Sequence, residues 1–185
     1  AEFASFYCNP INFAYALIIL RVLLNMTIRS EYKELDDQER ATFHGKFVEL
    51  SDGITHYETG GSKKSPVVVM VNGYSIPMYI WEQNFAKLVS AGFHVIRYDL
   101  FGRGGSDRPK IKYDLDLYVR QLSELIDSVA PKKKLHVMGI CMGSIIAAAY
   151  ANANKAKVRG ATLIGPAGIP GSLPALTAMA KVPFY

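Results

Sequence analysis

The run Leu135–Ala149, LHVMGICMGSIIAAA, constrains this chain more than any other stretch. An apolar strand ends at Gly139-Ile140-Cys141-Met142-Gly143 and passes straight into an apolar helix, with no residues left over for a connecting loop. A turn that tight forces the central side chain outward, and glycine on both flanks removes the Cβ atoms that would collide there. Glycine-x-nucleophile-x-glycine presents a reactive side chain at the end of a strand, so the pattern points to covalent acyl transfer with Cys141 as nucleophile. It also sets a puzzle. From Met142 to Tyr185 there is no Asp, Glu or His to complete a catalytic relay.

The residues before the turn alternate between strand and helix patterns. Lys46–Ser51 and Ile54–Thr59 read as strands joined by Asp52-Gly53, a pair suited to a tight hairpin. Pro66–Val71 is an unbroken apolar run, which fits a strand buried on both faces. Ile80–Ala91 has helical spacing, with Trp81, Phe85 and Leu88 on one side and Gly92 as the stop. Strands are then expected at His94–Tyr98, Leu135–Ile140 and Ala161–Ile164, and helices at Leu117–Val129 and Ser144–Ala153. A hairpin followed by alternating strands and helices implies a mostly parallel sheet covered on both faces. In such sheets ligands bind beyond the carboxyl ends of the strands. The distinctive loops, 72–77, 100–109, the Cys141 turn and 165–171, all fall at that edge.

These motifs, in this order, resemble the α/β-hydrolase superfamily, with monoacylglycerol-lipase-like and meta-cleavage-product-hydrolase-like enzymes among the similar chains. Gly73-Tyr74 resembles the family's oxyanion loop, Tyr98 to Pro109 (YDLFGRGGSDRP) its loop after the fourth strand, and Gly139–Gly143 its nucleophile elbow. The resemblance implies a mostly parallel sheet opened by an antiparallel hairpin, with the C-terminal strands, the acid and the histidine lying beyond Tyr185. It departs from the family at Asn72, where histidine is usual before the glycine, and at Cys141, where serine is usual. Epoxide hydrolases and haloalkane dehalogenases share the scaffold but use aspartate at the elbow, and Cys141 argues against both.

The boundaries expected are 1–42 for an N-terminal apolar helix and charged linker, 43–171 for the N-terminal part of the hydrolase domain, and 172–185 for the start of a cap. The segment 11–28, INFAYALIILRVLLNMTI, approaches the 20 or so apolar residues of a membrane span. Arg21 near its middle costs about 2.5–3.5 kcal/mol on insertion. The expectation is therefore a membrane anchor or surface helix, with a plain core helix as the alternative. Glu31–Arg40 reads as a helical linker.

The 185 residues are 50% hydrophobic, enough for a substantial core, and carry a net charge of +5. Lys and Arg are dispersed along the sequence, densest at Lys132-Lys133-Lys134, with no basic stripe of interleaved aromatics, so nucleic acid is not an expected partner. Cys8 and Cys141 are too few and too far apart to suggest a disulfide framework or a metal site, and no cofactor is expected.

The chemistry expected at the elbow follows from its parts. The thiolate is the nucleophile. A helix N-terminus stabilises an anion by about 0.3–1 kcal/mol, so a base is still required. The backbone N–H groups of Met142 and Tyr74 are expected to face the developing oxyanion. His136 lies five residues before Cys141, about 16 Å along an extended strand. His94 starts its strand at the opposite edge, and His44 and His56 belong to the linker and hairpin, so none is expected to serve as base. Asp99 is expected to fix its turn, and Ser144, one helical turn on, to point elsewhere. The expected function is hydrolysis of ester or thioester bonds on a small apolar acyl, aryl or lipid-like substrate. The alternative is a non-catalytic, hydrolase-like binding protein or a membrane-tethered interaction protein.

Overall fold

The computed structural model describes residues 35–168. The apolar segment 11–28, the start of the linker at Glu31, Cys8 and the cap region 172–185 lie outside the described residues. In chain order the elements are α1 (Asp37–Arg40), β1 (Lys46–Leu50), β2 (Gly53–Gly60), β3 (Val67–Val71), a 3-10 turn (Met78–Trp81), α2 (Glu82–Ser90), β4 (His94–Tyr98), α3 (Leu115–Val129), β5 (Leu135–Ile140), α4 (Met142–Ala153) and β6 (Val158–Ile164). The six strands form one sheet in the order β1-β2-β4-β3-β5-β6. The β1–β2 and β2–β4 pairs are antiparallel, and the pairs among β3, β4, β5 and β6 are parallel.

Side-chain alternation along the central strands divides the core between two faces. Val67, Val69 and Val71 of β3, Ile96 and Tyr98 of β4, and Leu135 and Val137 of β5 pack with Leu117, Leu122, Leu125 and Ile126 of α3 and Ile146, Ala147 and Tyr150 of α4. On the other face Val68, Met70 and Val95 pack with Trp81 and, from α2, with Phe85, Leu88 and Val89. Every residue of β3 and β4 is buried, which is why β3 reads as a continuous apolar run. In β4 the cost of burying Arg97 is offset by Glu58 Oε2, 2.9 Å from Nε, by Glu82 Oε2, 2.7 Å from Nη2, and by the Phe85 ring, while Nη1 is buried without a hydrogen-bond partner among the described residues.

Several expected bounds move, each for a local reason. The helix expected over 80–91 is split: Pro77, with φ at −62°, opens the tight 3-10 turn and the α-helix begins only at Glu82. α3 begins at Leu115 because the Asp114 carboxylate caps it, accepting from Leu117 N–H at 3.1 Å. α4 begins at Met142 instead of Ser144. β6 extends back to Val158 through a register shift opposite Leu135–His136, across Arg159 and Gly160, which hide it from an apolarity pattern. Of the linker, the described part forms one short helix, Asp37–Arg40, tied to the body by Arg40 on Asp107 at 2.5 Å. The hairpin turn is Ser51-Asp52, and Gly53 is the first residue of β2, at φ +144°.

Candidate functional site

The parallel strands end together, and the loops after β3, β4 and β5 meet at that edge. Cys141 sits between β5 and α4 at φ 54°, ψ −118°, a conformation costly for a residue with a Cβ, and it is exposed. The flanking glycines explain the sequence pattern. A Cβ on Gly139 would fall 2.2 Å from Gly143 O, and one on Gly143 would fall 2.3 Å from Val71 O. Both obstacles are backbone, so neither can swing aside. The turn is locked from below by Ser144, fully buried, whose Oγ lies 2.8 Å from Gly139 O and 3.1 Å from both Ile164 O and Ile164 N. Its hydroxyl is committed to the backbone.

The loop after β3 lies against the turn: a Cβ on Gly73 would be 3.3 Å from Cys141 Cβ. Two backbone donors are uncommitted here. Met142 N–H is the first of α4, and neither it nor Tyr74 N–H has an acceptor among the described residues. Tyr74 itself is exposed, with Arg103 Nε donating to its carbonyl and the guanidinium 4.5 Å from its ring centroid. Asn72 is fully buried. Its Nδ2 donates to Ile76 O at 2.7 Å, which braces the loop across its own base, while Oδ1 is left without a partner.

Asp99 anchors the loop after β4 and holds more than its own turn. Its carboxylate accepts from Met78 N–H at 2.7 Å and Gly105 N–H at 3.0 Å, and Oδ2 lies 2.8 Å from His56 Nδ1. The Asp99 carbonyl accepts from Ser106 Oγ at 2.6 Å and Gln121 Nε2 at 3.1 Å. The other nitrogen of His56, Nε2, lies 2.6 Å from His44 O. Both ring nitrogens thus face acceptors, an arrangement that only the doubly protonated imidazolium satisfies. Burial pushes the His56 ring down, but the hydrogen bond to Asp99, the His44 carbonyl and the charges of Asp99 and Glu58 outweigh it, so the pKa rises above 6.5.

The other histidines are placed where the sequence put them. His94 begins β4 at the far edge and His136 sits within β5, its Nε2 2.8 Å from Thr162 Oγ1. Among the described residues no histidine hydrogen-bonds Cys141, and no group of His, Cys, Asp or Glu has the arrangement to hold a metal ion. The His56–Asp99 pair was not legible beforehand. Forty-three residues separate the two, and no local spacing signals their meeting.

Comparison with known proteins agrees with this geometry. The model of the alpha/beta hydrolase fold family matches residues 66–184. A non-heme chloroperoxidase from Streptomyces lividans is 27% identical over 118 residues, 63% of this chain and 43% of that protein. Monoacylglycerol lipase abhd6-B from Xenopus laevis is 28% identical over 112 residues, 60% of this chain and 33% of that protein. Among solved structures, a thioesterase domain from the curacin biosynthetic pathway superposes with a TM-score of 0.64 at 25% identity, covering 74% of this chain and 50% of that one. The chain therefore spans half or less of the length of each.

Proposed function

The chain belongs to the α/β-hydrolase fold family, and from that membership we propose that it carries the nucleophile and oxyanion side of a hydrolase site for ester or thioester bonds. The observation that supports this reading best is Cys141, exposed at φ 54° beside an uncommitted Met142 N–H, with the Gly73 loop packed against it.

In this mechanism the Cys141 thiolate attacks the substrate carbonyl carbon, and the carbonyl electron pair moves to oxygen. The N–H groups of Met142 and Tyr74 stabilise that oxyanion. Collapse of the intermediate expels the alkoxide or thiolate, which takes up the proton that the thiol released. Water then cleaves the acyl-Cys141 thioester to the carboxylic acid and the free thiol. The substrate is apolar, small, and of acyl, aryl or lipid-like character: Tyr74, Ile76 and Tyr79 on one loop and Ile111 and Tyr113 on another are exposed at this edge of the sheet. The relatives whose names are lipase and thioesterase support the same class.

The test is mass spectrometry of the full chain after exposure to p-nitrophenyl butyrate, with C141A as control. A butyryl adduct on Cys141, absent from C141A, is expected. An unmodified thiol in the folded chain would overturn the reading and leave a hydrolase-like binding protein. Membrane association through 11–28 is a separate proposal, tested by carbonate extraction. Among the described residues no helix is long and apolar enough to cross a membrane.

A further inference from the structure

Seven lysines dispersed along the sequence are gathered at one edge of the sheet. β3, β4, β5 and β6 all begin there, with Val67 level with both His94 and Leu135, and Leu135 level with Val158. The segments leading into these strands carry Lys63 and Lys64, then Lys132, Lys133 and Lys134, then Lys155 and Lys157. The last turn of α3 adds one acid, Asp127, which pairs with Lys157 at 2.8 Å. The remaining described residues hold ten basic and twelve acidic side chains. The positive surplus of the described residues is thus confined to the edge opposite Cys141.

Within this edge lies a cleft of about 380 Å³, lined by Lys63, His94, Ser128, Pro131 and Lys133 among others, within the size range of small-molecule sites. Lys63 and Lys133 have no acidic partner among the described residues, and the Ser128 hydroxyl makes no hydrogen bond there. His94 is 3% exposed, with Nδ1 3.1 Å from Gly60 O. That carbonyl can only accept, so Nδ1 carries a proton and Nε2 is the ring atom left without a partner. The C-terminus of α3 ends here too and contributes about half a negative charge. The lysines outnumber it. Two ammonium groups, an imidazole and a hydroxyl match the three oxygens and double charge of a phosphomonoester better than a carboxylate, and lysine serves phosphate as a point charge. Phe93 is the one aromatic in the segments 61–66, 91–93, 130–134 and 154–157. Base stacking along a single-stranded nucleic acid therefore has little to use.

We propose that this cleft binds a phosphate-bearing ligand between Lys63 and Lys133, with His94 at its floor. The site is remote from Cys141 and does not rest on the acyl-transfer reading, so either can fail alone. The experiment titrates the full chain with inorganic pyrophosphate while NMR follows the His94 ring, and compares K63Q/K133Q with K110Q/K112Q, which alters the opposite edge. Saturable binding is expected, with affinity at least about tenfold weaker in K63Q/K133Q and unchanged in K110Q/K112Q. Bound pyrophosphate should shift the His94 ring resonances along the same saturation curve. Urea midpoints establish that the variants are folded, and K63R/K133R, which keeps the charge, should retain binding. A parallel arm sediments the chain with phosphatidylcholine vesicles with and without phosphatidic acid. Sedimentation reversed by pyrophosphate assigns the phosphate to a lipid headgroup, and pyrophosphate binding without sedimentation assigns it to a soluble ester. Absence of saturable binding, or equal binding by K63Q/K133Q, overturns the proposal.

Discussion

Replacing Cys141 by glycine and, separately, by alanine should reverse an ordinary rule of stability. In a folded element, exchanging alanine for glycine costs about 0.5–1 kcal/mol, because the glycine chain has more unfolded freedom to lose. At φ 54°, ψ −118° the balance differs. A Cβ held in such a region costs on the order of 1–3 kcal/mol. Subtracting the entropy term leaves C141G about 0–2.5 kcal/mol more stable than C141A. Neither variant carries the thiol, so sulfur chemistry cancels from the comparison, and the exposed position leaves no cavity in either. The assay is urea unfolding of both full chains under one set of conditions, with equal m-values as the check that the unfolded states are alike. Ser123, within α3, supplies the reference pair, where the glycine variant should be the weaker by about 1 kcal/mol. If C141G is weaker than C141A by as much as the Ser123 pair differs, the backbone at position 141 is not strained and the reading of its φ and ψ as costly is wrong.

Three further outcomes follow from the same geometry. Gly143→Ala should cost on the order of 4 kcal/mol or more, because its Cβ would lie 2.3 Å from Val71 O and 2.4 Å from Asn72 O; a shift of the urea midpoint worth under about 1 kcal/mol would refute the close packing. The pKa of His56 is raised on folding, so its stabilising contribution is complete below about 6.5 and is lost as pH rises through the folded value. The stability gap between the native chain and H56Q should therefore narrow from pH 6 to pH 9, and a gap that widened would contradict an imidazolium at Asp99. Lys132 has φ 61° in the turn before β5, so K132G should raise stability by up to about 1 kcal/mol, read from the thermal midpoint.

The sheet was largely legible because its signals are local. The run of four valines and a methionine in β3, the apolar strand of β5 and the glycines around Cys141 each declare a backbone state within a few residues. The helix starts were less legible, since Asp114 and Pro77 act through a cap and a fixed φ that the apolar spacing of α3 and α2 does not register. What lay beyond the sequence were particular side-chain pairings between distant residues: His56 on Asp99, Arg103 on Tyr74, and the gathering of Lys63 with Lys133. Such pairings depend on strand order, and β4 lies between β2 and β3 in space although not in the chain.

Asp99 joins the edge hairpin through His56, the segment after the Gly73 loop through Met78, and the following turn through Gly105. In heredity this amounts to a linked inheritance of distant positions. A descendant that loses the imidazole must also find a new neutraliser for a buried carboxylate, or surrender the carboxylate with the two backbone donors it satisfies. Residues 56 and 99 are thus expected to change together or not at all, and the edge hairpin, far from the reacting atoms, evolves under the constraints of the loops that surround Cys141.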